Sequence, residues 1–395
     1  MEVKTIAFYL PQFHPIPEND AAYGKGFTEW TNTKKAIPLY EGHYQPRTPL
    51  NENYYCLLDK GVMEEQAKMA KKYGLYGFCY YHYWFKNGKK LLEKPLEAML
   101  QNPEIDIPFC ICWANENWSK RWDGGDNEVI VEQDYGDFNE LNNHIDYLCE
   151  FFKDPRYIKE NNAPILLIYK PELIPNLKKV IATIRERARY NGFPEIMLIV
   201  QYPKFFFNRS KLNLFDAFVQ FEPCFIHFYE RDLKRSEIKR KVKSMLLNVG
   251  FHNFVSKVEK KLGEKTKVGL TIRDYDKDWK MILDYPVKDK REIAGAFVDW
   301  DNTPRNKNGL SYTGATPKKF EKYMKHLVQK VKNEYKYKYI FINAWNEWAE
   351  GAYLEPDEKN KYSSILPRNT AKHGQYLPHR RGNRRKPPPH KALRL

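Results

Sequence analysis

Tyr339-Ile340-Phe341-Ile342-Asn343-Ala344-Trp345-Asn346-Glu347-Trp348-Ala349-Glu350-Gly351 is the stretch from which the rest of the chain can be read. It opens as an apolar strand and turns at once into two carboxylates three residues apart. Trp345 and Trp348 flank the first acid, and a glycine follows the second. In barrels of parallel strands, functional side chains collect just past the C-terminal strand ends. Two neighbouring carboxyl groups beside indole rings suit glycosidic chemistry. One group must stay neutral to give a proton, the other must stay ionised, and an aromatic face must hold a sugar ring.

The same strand-then-loop unit recurs along the chain. Apolar and aromatic runs predict strands at 3–10, 75–85, 107–113, 164–169, 196–201, 217–221, 295–300 and 339–344. Helical spacing lies between them, at 60–73, 91–101, 141–152, 173–190 and 317–331. Eight strands alternating with helices favour a single α/β domain, a (β/α)8 (TIM-like) barrel with long strand-to-helix loops. No Gly-rich phosphate loop follows any strand, which argues against dinucleotide-binding and P-loop folds. The expected organisation is a barrel over 1–365, carrying a basic helical insertion at about 231–267, and a poorly ordered basic Pro/Arg-rich tail at 366–395. A helix should seal the barrel after strand eight. The tail does not read as one, so closure is in question on sequence alone.

The net charge of +16 is concentrated in two places. Residues 231–267 hold twelve basic and four acidic side chains, and 366–395 hold nine basic and none acidic, so the body is near neutral. That distribution suits a solvated face or an anionic membrane surface, and no nucleic-acid partner is expected. No apolar run reaches the roughly 20 residues of a membrane helix. The N-terminal apolar stretch is too short for a signal peptide, so a cytoplasmic protein, peripheral to the inner membrane if bound there at all, is expected. Six cysteines form no zinc or redox spacing and read as reduced. No cofactor and no metal are expected.

Five strand ends carry related chemistry: Tyr9 to His14, Tyr80 to Phe85, Trp113 to Trp118, Asp299 to Asn302 and Trp345 to Glu350. All hold an amide or imidazole, and four hold tryptophan. Aromatic faces pack on sugar C–H groups while amides and acids bind hydroxyls. The candidate glycan-binding residues are Tyr9, Gln12, Trp30, Tyr81, His82, Trp84, Trp113, Asn115, Glu116, Trp118, Asp299, Trp300, Trp345 and Asn346, around the candidate catalytic pair Glu347 and Glu350. His82 fits a core histidine as well as a hydroxyl ligand. Asp274-Tyr275-Asp276 has the form of a metal-binding DxD but sits in a charged stretch, and reads as surface.

The segment from Trp345 to Pro356 resembles the N-E-W-x-E-G…E-P signature of glycoside hydrolase family 99, and is nearer to its WbsX-like branch. So do Phe8 to His14, Gly26 to Trp30, Tyr81 to Phe85, Trp113 to Trp118 and Asp299 to Arg305, a match covering about 3–357. The resemblance implies a (β/α)8 barrel acting on bacterial surface polysaccharide (O-antigen, lipopolysaccharide or capsule). It also implies retaining chemistry through a 1,2-anhydro sugar. Glu347 would then be the base toward the 2-hydroxyl and Glu350 the acid toward the leaving oxygen. The partner would be an oligosaccharide or polysaccharide, free or lipid-linked. Glu116 or Asp299 beneath C1 would allow ordinary double displacement instead. A nucleotide-sugar-dependent glycosyltransferase and a non-catalytic glycan-binding barrel are the alternative readings.

Overall fold

The apolar runs become strands because neither of their faces meets water, as in parallel sheets covered on both sides. In the computed structural model, which describes residues 2–120, 128–202, 209–249 and 269–364, eight such strands form one sheet. They are β1 (Lys4–Tyr9), β2 (Gly77–Trp84), β3 (Phe109–Trp113), β4 (Ala163–Ile168), β5 (Met197–Tyr202), β6 (Ala217–Gln220), β7 (Glu292–Phe297) and β8 (Tyr339–Asn343). Each pairs in parallel with the next around the ring, β7 included, which lies between β6 and β8. The ring closes where β1 meets β8, with Thr5 opposite Ile340 and Ala7 opposite Ile342. This is the (β/α)8 barrel that the strand count implies.

The outer layer comprises α1 (Pro17–Tyr23), α2 (Glu29–Lys35), α3 (Val62–Lys72), α4 (Lys94–Gln101), α5 (Phe138–Lys153), α6 (Leu177–Tyr190), α7 (Cys224–Val249), α8 (Tyr275–Asp284) and α9 (Pro317–Glu334). Local chemistry sets several of their starts. Asp137 caps α5 through the Asn139 and Glu140 amides, Asp274 caps α8 through the Lys277 amide, and Thr316 caps α9 ahead of Pro317. Asp274 of the DxD triplet is thereby a helix cap, and Asp276 pairs with Lys319 at 2.6 Å. The predicted helix at 91–101 begins only at Lys94, because Lys90 and Leu91 pair with the end of β2. Strand seven ends three residues before its predicted limit, since Asp299 and Asp301 are drawn aside by ion pairs described below. α7 starts at Cys224 and runs into the expected basic insertion at about 231–267; residues 250–268, like the tail at 365–395, lie outside the described residues.

No long helix follows β8 within the described residues, yet the barrel is closed. The chain beyond β8 folds back on itself, with the Leu354 and Glu355 amides donating to the Trp345 carbonyl. Trp345, Trp348, Tyr353 and Leu354 are all buried there, and Trp348 stacks on Tyr353 at 3.8 Å. Trp345 packs on Phe78 of β2 and Trp348 on Trp30 of α2, so aromatic contacts anchor this segment just past the last strand.

Side-chain alternation sorts each strand into inward and outward residues. Phe8 of β1 reaches Phe221, beyond β6, at 5.2 Å across the barrel, and Gln201 of β5 donates to the Tyr81 hydroxyl of β2. Those residues point inward. Cys112 also points inward, its thiol on Gln201. Cys79, Cys110, Cys112 and Cys149 are buried as thiols. Gly295 of β7 permits close approach: a Cβ there would stand 1.5 Å from the Gln220 carbonyl oxygen.

Candidate active site

At the C-terminal mouth of the barrel lies a cleft of about 380 Å³. Glu347, Glu350 and Arg305 share it with Tyr81, Tyr83, Tyr169, Trp118 and Trp300. Glu347 follows β8 and Glu350 ends a short 3-10 turn, Trp348–Glu350. Gly351 terminates that turn at φ 62°, a left-handed value, and a Cβ there would press on the Arg47 guanidinium at 2.9 Å. The turn therefore demands glycine after the second acid.

Arg305 joins the acids. Its Nη1 donates to Glu350 Oε1 at 2.5 Å, and its Nη2 donates to Glu29 at 2.7 Å and to Glu347 at 3.2 Å. Three carboxylates thus face one guanidinium. Burial works against the Arg305 charge, but the charges of Glu29, Glu350 and Glu347 outweigh it and hold its pKa above the usual value. Burial pushes the Glu347 carboxyl well above the ordinary carboxylate range, and the neighbouring Glu350 charge pushes it the same way. Burial also raises Glu350, against the opposing pull of Arg305. Two acids this close cannot both ionise freely, and the shorter contact to Arg305 favours the anion on Glu350 and the proton on Glu347.

A second ionic group braces the turn from behind. His43, Gln45 and Arg47 present alternate side chains to the loop after β7. His43 Nε2 and Gln45 Nε2 meet Asp301 Oδ2 at 2.6 and 2.8 Å, and Arg47 Nη2 donates to Asp299 at 2.9 Å. The Asp301 amide donates to the Glu350 carbonyl at 2.6 Å, and Arg47 Nη1 donates to the Gly351 carbonyl at 3.1 Å. Burial opposes ionisation of Asp301, but Arg47 and the bonds from Thr303, Gln45 and His43 keep its carboxyl below the usual range.

Of the predicted site residues, Tyr81, Glu116, Trp118, Trp300, Glu347 and Glu350 line the cleft. The others do not, and strand parity explains four of them. Tyr9 points outward, its hydroxyl on Gln66 of α3. His82 and Trp84 lie on the opposite face of β2 from Tyr81 and Tyr83, with His82 Nε2 against His144 Nε2 at 3.0 Å and Trp84 stacked on the same ring. Trp113 packs edge-on against His144. Burial pushes His82 down to about 3 and His144 well below the usual value, so both rings are neutral core groups.

The remaining six are scaffold. Trp345 is 0% exposed and packs on Phe78, beneath the turn and away from the cleft. Trp30 packs against Trp348, and Gln12 is wholly buried. Asn346 clamps both backbone groups of Leu10, and Asn115 clamps both of Lys170. Asp299 belongs to the Arg47 brace. Sequence reading missed Arg305, Tyr83, Tyr169 and Glu29 as site residues. Arg305 and Glu29 stand in the motifs that carry the family resemblance, and an arginine near acids was the available signal.

Among known protein families, the chain matches the one described as Glycosyltransferase WbsX over residues 5–366. It belongs to the WbsX family. Two curated relatives, both proteins called WxcX from Xanthomonas campestris pv. campestris, share 38% identity over 362 residues and 37% over 366. The WbsX-family chain is covered to 91% in each case and spans about half the length, 48%, of these relatives. Among solved structures it is similar to the GH99 endo-alpha-mannosidase from Bacteroides thetaiotaomicron in complex with BIS-TRIS-Propane, at 13% identity and a TM-score of 0.48, covering 91% of this chain and 90% of that one. It is also similar to a glycoside hydrolase-like protein, at 13% identity and a TM-score of 0.49, covering 93% and 90%. Among the described residues, no helix is long and apolar enough to cross a membrane.

Proposed function

We propose that this WbsX-family protein is a carbohydrate-active enzyme that makes or breaks a glycosidic bond in a bacterial surface polysaccharide, with Glu347 and Glu350 as its acid/base pair. The observation that carries this reading is the pair itself: two acids bridged by Arg305 in a cleft walled by Trp118, Trp300, Tyr81, Tyr83 and Tyr169. The cleft volume suits roughly two sugar rings, within the range of ligand sites. The aromatic walls would hold ring faces, and the amides of Asn117, Asn302 and Asn306 would reach hydroxyls.

In the retaining scheme that the family resemblance implies, one carboxylate takes the proton of the substrate 2-hydroxyl. O2 then closes on C1 as the C1–O bond to the leaving group breaks, and the other acid gives that oxygen its proton. Water adds at C1 in reverse, restoring both protonation states. Glu347 as base and Glu350 as acid is the assignment carried by the motif. The contacts to Arg305 favour a second assignment, with Glu347 as acid, because the anion is better held on Glu350. Under the first assignment, substrate must loosen the Arg305–Glu350 contact so that the proton crosses to Glu350. The lipid-linked form of the glycan and contact of the basic segments with an anionic inner-membrane surface are parts of the same proposal.

The test is a screen of wild type, Glu347→Gln and Glu350→Gln against manno-configured oligosaccharides, read by mass spectrometry with and without a nucleotide-sugar mixture. Cleavage or transfer without nucleotide sugar, lost in both variants, supports the proposal. Turnover only with nucleotide sugar assigns the protein to the transferase alternative. Glycan binding with no turnover by wild type assigns it to the binding-module alternative.

A further inference from the structure

Glu29 does not line the cleft. It is the first residue of α2 and is wholly buried. Its Oε1 nevertheless accepts two hydrogen bonds, from Arg305 Nη2 at 2.7 Å and from the Ala349 amide at 2.9 Å. Ala349 lies between the two acids in the turn. One buried oxygen therefore ties the backbone of the acid-bearing turn to the cation that bridges the acids. Its other oxygen is buried without a hydrogen bond, a cost that the Oε1 contacts must offset.

The guanidinium is divided unequally. Nη1 donates to Glu350 at 2.5 Å, while Nη2 is shared between Glu29 at 2.7 Å and Glu347 at 3.2 Å. Glu347 receives what Glu29 leaves. The titratable groups facing this cluster are Arg305, the two acids, and the phenols of Tyr81, Tyr83 and Tyr169. Of the two lysines of α2, both in its last turn, Lys34 lies over the Tyr54 ring. No other cation among the described residues is hydrogen-bonded to either acid.

We propose that Glu29 is a positioning residue for the acid pair: it outcompetes Glu347 for Nη2 of Arg305 and anchors the Ala349 amide, so that Glu347 is the member that holds the proton. This rests on the reading of Glu347 and Glu350 as the working pair. Glu29 itself touches no substrate. Its charge acts through Arg305, and its length sets where the turn stands.

Glu29→Gln separates the two contributions, since the amide oxygen still accepts from Ala349 while the charge is gone. The measurement is a carbon-13 titration of full-length protein labelled at glutamate Cδ, with Glu347→Gln and Glu350→Gln assigning the two resonances. Glu29→Gln should lower the Glu347 midpoint by about one pH unit, because a like charge leaves and the neutral amide oxygen holds Nη2 less strongly against Glu347. Glu29→Asp keeps the charge but draws it back by one methylene, and should lower the midpoint by less. An unchanged Glu347 midpoint in either folded variant overturns the proposal, including the case where stability falls and the midpoint does not move. The titration needs no glycan. A shifted midpoint in a protein that turns nothing over would sink the enzymatic reading and leave this one standing. An unshifted midpoint in an active enzyme would do the reverse.

Discussion

Arg47→Met removes the cation of the brace while keeping most of its apolar bulk. The Arg47 side chain is 8% exposed, Asp301 is fully buried and Asp299 is 19% exposed. Removing one partner of a buried pair leaves an uncompensated charge, a loss of about 3–5 kcal/mol. Asp301 keeps His43, Gln45 and Thr303, and Asp299 keeps some solvent, so the low end applies, about 3 kcal/mol. For a chain of this length, with an unfolding entropy of about 0.8 kcal/mol/K, that is a fall in Tm of about 4 °C. Adding Asp299→Asn removes the stranded charge and should restore about 1–2 kcal/mol, the signature of a coupled pair. The assay is urea unfolding at pH 7 followed by tryptophan fluorescence, with Tm as a check. A loss below about 1 kcal/mol for Arg47→Met, or a further loss on adding Asp299→Asn, would refute the claim that this ion pair braces the turn.

Trp345→Ala should cost about 3–5 kcal/mol of stability, as for a buried indole, with manno-oligosaccharide affinity unchanged in the folded fraction. Trp300→Ala should instead leave the unfolding midpoint nearly fixed and weaken that affinity by about 1–3 kcal/mol; calorimetric titration separates the two. Because burial lowers His82 to about 3, its stability contribution is present above the unfolded value of about 6.5 and is lost as pH falls toward 3. One such histidine makes the wild type about 2 kcal/mol less stable at pH 5 than at pH 7, and a His82→Gln variant with an equally steep fall would contradict this. Burial raises Glu355 to about 7, so its neutral form is favoured in the fold, and stability drops as pH rises from about 4.5 through 7. Glu355→Gln, compared with wild type by urea unfolding at pH 5 and pH 8, should gain relative stability at the higher pH; equal differences at both pH values would exclude the effect.

The strand periodicity and the acid pair were legible without coordinates. Eight apolar runs with helical spacing between them admit few arrangements other than a barrel, because each run must bury both faces. Glu347 and Glu350 stood out because their spacing and their place after an apolar strand are local properties. Closure of the barrel stayed open in the sequence, because the tail shows no helical periodicity; it is the pairing of β1 with β8, far apart in the chain, that closes the ring.

What the sequence could not decide was which side of each strand end faces the cleft. Tyr81 and His82 are neighbours, yet one stands at the cleft and the other against α5, because successive side chains of a strand point to opposite faces. A motif shows both residues with equal weight, and only the register and closure of the barrel assign a face. The ionic partners were hidden for a different reason. Glu29 lies 276 residues from Arg305, and Arg47 lies 252 from Asp299. Chain separation carries no information about such pairs. By itself the sequence determined a barrel with two acids after its last strand. The tertiary structure alone decided which charges surround those acids, because Coulomb interaction depends on distance in space and on burial, and folding sets both.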